Sequence, residues 1–479
     1  MTRADIDELI RRLPNSAVAG DSPGAAAAAN VWATAVRDRR PAAVVRAQRA
    51  EDVAATFAWA AEVGAVVTPR SGGHSFDGFP INEDVVLIDM RDIDHARIDA
   101  AGLLNAGAGA LARDIHLAGA TSGRAVPIGL CPTVGLGGLV SGGGFGYFSR
   151  SLGVTCDSLV AATVATPDGA VLRCDETENT EVLWATRGGG GCAGIIIDTQ
   201  LRSIVVDTVI DFAVGVPWSA FVDCYATFID LVATAPESLD ASIQARTTGA
   251  GRYIDTADVG PPGSTLGQPH VEVTGQMRAP IDEVRDTIAP LLNLDGARLD
   301  MIEAVELATA ARHENPLEFF NDPAPPALRS YRVTSDFVTS TDVDRQAQAL
   351  SRFIDVVQHD PLLGGMGVVI EGANGQVAAR SASATAFPHR DAVALIQYQL
   401  GCPDGRSPRD PDYMKRGNEL LAETRAALGE APTGGRYLNY ADPSDPASTL
   451  WRGNLERLRR IVDAVDPHRV LHSRLRPLV

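Results

Sequence analysis

Eight of the eighteen residues from Gly129 to Gly146 are glycine, against a usual share of roughly 7%. Regular structure costs glycine more conformational entropy than any other residue, so this stretch is expected as loops and short turns. It reads Cys131-Pro132-Thr133-Val134-Gly135-Leu136-Gly137-Gly138, then Ser141-Gly142-Gly143-Gly144-Phe145-Gly146. A shorter loop of the same character, Arg70-Ser71-Gly72-Gly73-His74-Ser75, lies upstream. Backbone N–H groups of consecutive glycines can converge on a phosphate without interference from Cβ, and two such loops can grip a diphosphate from both sides. The residues alone leave His74 open between a surface turn histidine and a ligand. They leave Cys131 open between an inert buried thiol and a nucleophile whose thiolate nearby N–H groups would favour.

Composition bounds the rest. A chain of 479 residues exceeds one ordinary core, so two or three domains are expected. Hydrophobic content of 45% and charged content of 21% are those of a globular protein. No window approaches eighteen apolar residues, and the N-terminus lacks a signal-peptide core, so no membrane association and cytoplasmic residence are the expectation. The six cysteines (131, 156, 174, 192, 224 and 402) show no C-x-x-C and no zinc spacing, so neither a disulfide framework nor a metal site is expected. A net charge of −18 argues against nucleic acid as a partner.

Along the chain, residues 1–207 alternate short β-branched strands, Gly-rich turns and helices. Strands are expected at Val44-Val45, 65–68 and 85–89, with a helix starting near Glu51. Across 208–434 helical stretches (218–235, 281–292, 345–358) separate strand-like runs (268–277, 366–370), a pattern that suits a sheet covered by helices on one face. Surface loops are expected at 260–263 and 322–326. The segment 435–479, with a helix at 451–463, is expected to return to the first domain. Gly107-Ala108-Gly109-Ala110-Leu111-Ala112 matches a dinucleotide fingerprint, yet no acidic residue follows at the required distance. A strand turning into a helix is the preferred account of it.

Six anchors in this order resemble the FAD-linked oxidases of the berberine-bridge-enzyme type, in the vanillyl-alcohol-oxidase superfamily. They are the His74 loop, the Cys131 loop, Gly142 to Gly146 with Ser149-Arg150, Leu183 to Gly191, Thr385 to Asp391, and Tyr437-Leu438-Asn439-Tyr440. The resemblance implies an α+β fold: a two-part, PCMH-type FAD-binding domain plus a substrate domain with an antiparallel sheet covered by helices. It implies FAD bonded to His74 and, because single-bonded members lack this cysteine, also to Cys131. It assigns flavin binding to Arg70, Ser71, Gly72, Gly73, Ser75, Pro132, Thr133, Val134, Gly135, Gly137, Gly138, Gly142, Gly143, Gly194, Ile196 and Asn439. Four departures mark a specialised member: Leu139 in place of a His, Phe145 in place of a second catalytic Tyr, Cys192-Ala193-Gly194, and Asp466-Pro467-His468-Arg469-Val470.

By the same resemblance Tyr440 is the candidate base. An ordinary phenol titrates near ~10, so Tyr440 must be depressed or must transfer its proton in concert with hydride loss. Gln397, near the place of a catalytic glutamate in some relatives, would leave Tyr440 as the sole base. Phe145, Gln397 and Glu371 are candidate pocket residues, Glu371 equally readable as a solvent-facing carboxylate. The expected reaction is hydride transfer from an alcohol of a sugar or secondary metabolite to FAD, with dioxygen as the final acceptor. Two alternatives remain: C–N oxidation or oxidative cyclisation, and a non-redox cyclase or binding protein with a structural flavin. Oligomeric state is not legible.

Overall fold

In the computed structural model, which describes residues 1–36, 38–129, 131–206, 208–247, 269–306, 331–403 and 406–475, the β-branched runs near the N-terminus form a small mixed sheet. Its strands are β1 (Ala17–Ala19), β2 (Ala43–Arg46), β3 (Val66–Arg70) and β4 (Val85–Asp89), in the order β1-β2-β4-β3. β2 and β3 both run parallel to β4. Parallel strands need a crossover, and the helix Ala50–Val63 lies between β2 and β3 in the chain, stopped by Gly64 at φ 68°. β4 is buried along its whole length, as a strand covered on both faces must be.

The next strands are β5 (Ala96–Ile98), β6 (Leu103–Gly107), β7 (Arg124–Ala125), β8 (Leu159–Ala165), β9 (Val171–Cys174), β10 (Ile195–Arg202) and β11 (Ile204–Val205). Five of them make an antiparallel sheet in the order β5-β6-β10-β8-β9, and β7 pairs with β11. The Gly107–Gly109 turn does lead from β6 into a helix, Ala112–Thr121. But β6 is antiparallel to both neighbours, whereas the dinucleotide fold is built on parallel strands. Its glycines serve packing: a Cβ on Gly109 would sit 2.1 Å from the Met90 carbonyl oxygen.

The third sheet has seven strands: β12 (Thr208–Val216), β13 (Leu239–Arg246), β14 (His270–Met277), β15 (Arg298–Glu306), β16 (Tyr331–Val338), β17 (Met366–Gly372) and β18 (Ala394–Gly401). Their order is β15-β12-β14-β13-β17-β18-β16, every pair antiparallel. Side chains alternate between faces. Phe212, Ile243, Val273, Ile370 and Ile396 pack on the helices Phe221–Thr234, Val343–His359 and Pro411–Ala427. The opposite face is polar, with Ser242, Gln244 and Arg246 on β13, Glu371 on β17, and Gln397 and Gln399 on β18. Phe337 and Leu395, on that same face, join the core of the first layers beside Leu139, Phe145 and Tyr437. The polar face therefore looks toward the glycine loops. The fold is α+β.

Residues beyond this sheet run back to the first one. The Val67 N–H donates to the Val470 carbonyl, and the His472 N–H donates to that of Val67, both at 2.9 Å. Two expected helices are interrupted. The 281–292 stretch splits into Ile281–Thr287 and Ala289–Leu292, because Pro290 lacks the N–H to continue the ladder. The 451–463 stretch breaks at Arg452, whose φ is 44°, leaving Leu455–Val465 as the main helix. The loops 260–263 and 322–326, together with Leu130 and Gln268, lie outside the described residues.

Candidate active site

The two glycine loops touch. A Cβ on Gly72 would come within 2.3 Å of the Gly135 nitrogen and 2.6 Å of the Thr133 carbonyl oxygen, so no side chain fits between them. Ser71 Oγ donates to the Ala108 carbonyl at 2.6 Å, and Gly73 takes φ 76°, a conformation glycine adopts without strain. This contact brings His74 to the second loop. Its Nε2 lies 2.7 Å from Thr133 Oγ1, which is 3.7 Å from Cys131 Sγ. His74 and Cys131 are half-buried and Thr133 is buried. Trp32 stacks on the imidazole with ring centroids 5.0 Å apart. Enclosure by protein, then the positive charge of Arg70, depress His74 to about 3, so its ring is neutral near pH 7.

Other expected flavin residues have mixed placements. The Arg70 side chain turns behind the loop, donating to the carbonyls of Ala28 and Asn30 at 3.1 and 3.0 Å with Asp89 at 3.5 Å. It frames the loop from behind. Ser75 Oγ likewise closes a local turn onto Asp77. The carbonyls of Pro132 and Val134 accept from the N–H groups of Arg113 and Ala112, which fixes the second loop against a helix start. Gly137 packs on Ala108, whereas a Cβ on Gly138 would meet nothing within 4 Å. Gly142 packs under Asn439 and Gly143 against Phe387. Gly194 lies against Ala165, and Ile196 is buried on β10 opposite Val164.

A short turn, Leu438–Tyr440, covers these loops. The Tyr437 hydroxyl accepts from the N–H groups of Gly144 and Phe145 at 2.8 and 3.1 Å. Asn439 Nδ2 donates to the Leu139 carbonyl and to the Tyr437 hydroxyl. Asn439 thus orients the loop, and Tyr437 is core. Tyr440 is left facing β17, and its hydroxyl donates to Glu371 Oε2 at 3.0 Å. Phe76 packs on both Tyr440 and Tyr331, and the Tyr331 hydroxyl accepts from Trp32 Nε1. One wall therefore runs from His74 through Trp32, Tyr331 and Phe76 to Tyr440.

Burial lifts Glu371 to about 7 against the opposing effect of the Tyr440 hydrogen bond. Burial and the Glu371 charge hold Tyr440 well above the ordinary phenol range. Of the two routes expected from sequence, this environment favours concerted proton transfer over a depressed Tyr440. Glu371 is enclosed and bonded to Tyr440, so it is not a solvent-facing carboxylate, and a second ionisable group stands beside Tyr440. Gln397 lies on the same face, buried, and accepts from Gln399 Nε2 at 2.6 Å. Phe145 is corrected from pocket to core, because it is packed among Phe337, Phe387 and Tyr437. Tyr147 joins a different cluster with Ala125, Phe148 and Val206, so it supplies no second tyrosine to this wall. Sequence reasoning missed Arg246 and Tyr331. Arg246 is near enough to Tyr331, Tyr440 and Glu272 to feel their charges, and its Nε is buried with no acceptor among the described residues. The alternation Ser242, Gln244, Arg246 was the available signal.

These groups fit a flavin. Gly138 leaves room beside the paired loops, and a neutral imidazole and a half-buried thiol stand together at one end. Among the described residues no three metal-ligating side chains converge, and no helix is long and apolar enough to cross a membrane. Residues 41–175 match a family of FAD binding domains. The chain is 26% identical to glucooligosaccharide oxidase of Sarocladium strictum over 459 residues, covering 90% of this chain and 86% of that protein. Two solved structures share the fold. One is glucooligosaccharide oxidase from Acremonium strictum, described by its 6-S-cysteinyl, 8α-N1-histidyl FAD, with 22% identity and a TM-score of 0.82 over 99% of this chain and 100% of that one. The other is the berberine-bridge-enzyme-like protein 1 of Physcomitrella patens, with 19% identity and a TM-score of 0.82 over 98% of each chain. The chain is an FAD-dependent oxidoreductase with a PCMH-type FAD-binding fold, a fold it shares with oligosaccharide oxidases and with a berberine-bridge-enzyme-like protein.

Proposed function

We propose that the chain oxidises an alcohol group on a sugar or secondary metabolite, with FAD bonded to His74 and Cys131 and with dioxygen reduced to hydrogen peroxide. The carrying observation is the Tyr440–Glu371 hydrogen bond at 3.0 Å, placed on the wall that begins at His74. Backbone N–H groups of Gly72, Gly73 and Gly138 are assigned to the diphosphate, those of Leu136 and Gly137 being already donated to the Ala110 and Ala108 carbonyls.

Bound FAD supplies the two-electron acceptor for a hydride. The protein manages the proton. Tyr440 stays a phenol, so it takes the substrate hydroxyl proton only as it passes its own to Glu371. No free phenolate forms. Glu371, titrating at about 7, is ready to accept near neutral pH, where a general base works best. The guanidinium of Arg246 offsets negative charge developing near Tyr440. Ser242, Gln244, Gln397 and Gln399 offer several hydrogen-bonding groups on one face, as a hydroxylated substrate requires.

The test is peroxide release from a panel of sugars and secondary alcohols. Tyr440→Phe and Glu371→Gln should keep the bound-flavin absorbance and lose about 10²- to 10⁴-fold in kcat. Wild-type rates in both variants would move the chemistry to C–N oxidation, because a neutral amine needs no base. A flavin that no substrate bleaches under anaerobic conditions would instead make it structural.

A further inference from the structure

Thr133 stands between the two attachment residues, and a role for it there rests on the covalent attachment of FAD to both. Its Oγ1 is 2.7 Å from His74 Nε2 and 3.7 Å from Cys131 Sγ. The residue is 4% exposed, deeper than either neighbour. The turn around it is held on both sides, since the Val134 N–H donates to the Cys131 carbonyl and the Pro132 and Val134 carbonyls accept from the 112–113 backbone. The position of this hydroxyl is therefore set by backbone.

A threonine hydroxyl donates one hydrogen and accepts through lone pairs. His74 is neutral, so one ring nitrogen carries hydrogen and the other a lone pair. Were the hydroxyl to donate to Nε2, the ring hydrogen would sit on Nδ1 and the sulfur would receive nothing from Thr133. With Nε2–H donating to Oγ1, the nucleophilic lone pair sits on Nδ1 and the hydroxyl hydrogen is released toward sulfur. In the first arrangement the sulfur can only donate its S–H to Oγ1, which keeps it a thiol; only the second points a hydrogen at sulfur, and a hydrogen bond to sulfur favours thiolate over thiol.

We propose that Thr133 is a positioning residue for both covalent bonds, selecting the His74 tautomer and supporting the Cys131 thiolate through one hydroxyl. Each attachment replaces a C–H of the flavin. The N–C or S–C bond forms, one proton leaves with the C–H and one with the nucleophile, and the two electrons pass through the flavin ring to dioxygen. The balance is R–H + Nu–H + O₂ → R–Nu + H₂O₂.

The experiment reconstitutes flavin-free protein with FAD and follows intact mass of denatured samples over time. It compares Thr133, Thr133→Val and Thr133→Ser in the His74→Ala and Cys131→Ala backgrounds, where each bond is read alone. Thr133→Val should slow both bonds about tenfold or more, the scale of one hydrogen bond, while FAD still co-elutes on gel filtration. Thr133→Ser should restore both rates. Unchanged rates in Thr133→Val, slowing of one bond only, or a Thr133→Ser variant as slow as Thr133→Val would each overturn the shared role. If Thr133→Val cannot retain FAD, the same comparison is made between Thr133→Ala and Thr133→Ser. A wild-type chain that never gains the mass of FAD would sink the covalent attachment itself, a failure visible before any Thr133 variant is made.

Discussion

As the proposed proton acceptor, Glu371 would couple turnover to pH through a single carboxylate. Its value in the folded chain is about 7 against an ordinary 4.5. The folded state keeps a proton that the unfolded chain releases, so the stability it contributes is full below about pH 4.5 and is lost as pH rises through 7. Glu371→Gln resembles the protonated acid permanently. Calorimetry should therefore show a higher Tm than wild type at pH 8 and an equal one at pH 4. Turnover should move the other way: the wild-type rate climbs through about pH 7, and the variant is slow and flat. His74 and Cys131 stood out beside their glycine neighbours, but the residues alone left each open between a bland and a reactive role, and flavin attachment came only from the resemblance. Glu371 was legible only as a candidate pocket residue, because its partner lies 69 positions away in another element and only the sheet register shows which face it takes. Arg246 was lost for the same reason.

The loops at 70–75 and 131–138 behave as a pair of elements. The three nearest neighbours of a Cβ on Gly72 are backbone atoms, at 2.3, 2.6 and 3.0 Å, and cannot rotate away. Gly72→Ala must therefore part the loops. The expected result is folded protein by circular dichroism with little or no FAD, read as absorbance near 450 nm after gel filtration and as intact mass. Strands on the polar sheet face were harder to recognise than these loops. β13, β15 and β16 place polar residues on one side, which dilutes the apolar signal that marked β4. The 281–292 stretch kept its helical period, but the period does not register what Pro290 removes.

At the scale of the whole molecule, buried charge pairs join segments distant in sequence. Arg390 donates to both carboxylate oxygens of Asp157 at 2.7 Å, 233 positions away, with both side chains buried. Arg390→Met leaves Asp157 buried with the Val154 N–H at 3.1 Å and, as its nearest cation, the partly exposed Arg380 at 3.7 Å. Removing one partner of such a pair costs about 3–5 kcal/mol, expected here as a lower urea midpoint monitored by flavin absorbance. The clasp of residues 437–472 has a consequence in time. Tyr437 closes on Gly144 from 293 positions downstream, and Val470 and His472 pair with Val67. At a synthesis rate of about 5–20 residues per second, the loop waits roughly 15–60 s on the ribosome for the tyrosine that fastens it. During that interval the glycine loops are exposed to whatever proteases and chaperones attend the growing chain. The glycine loops therefore acquire this clasp only once the last segment has been translated.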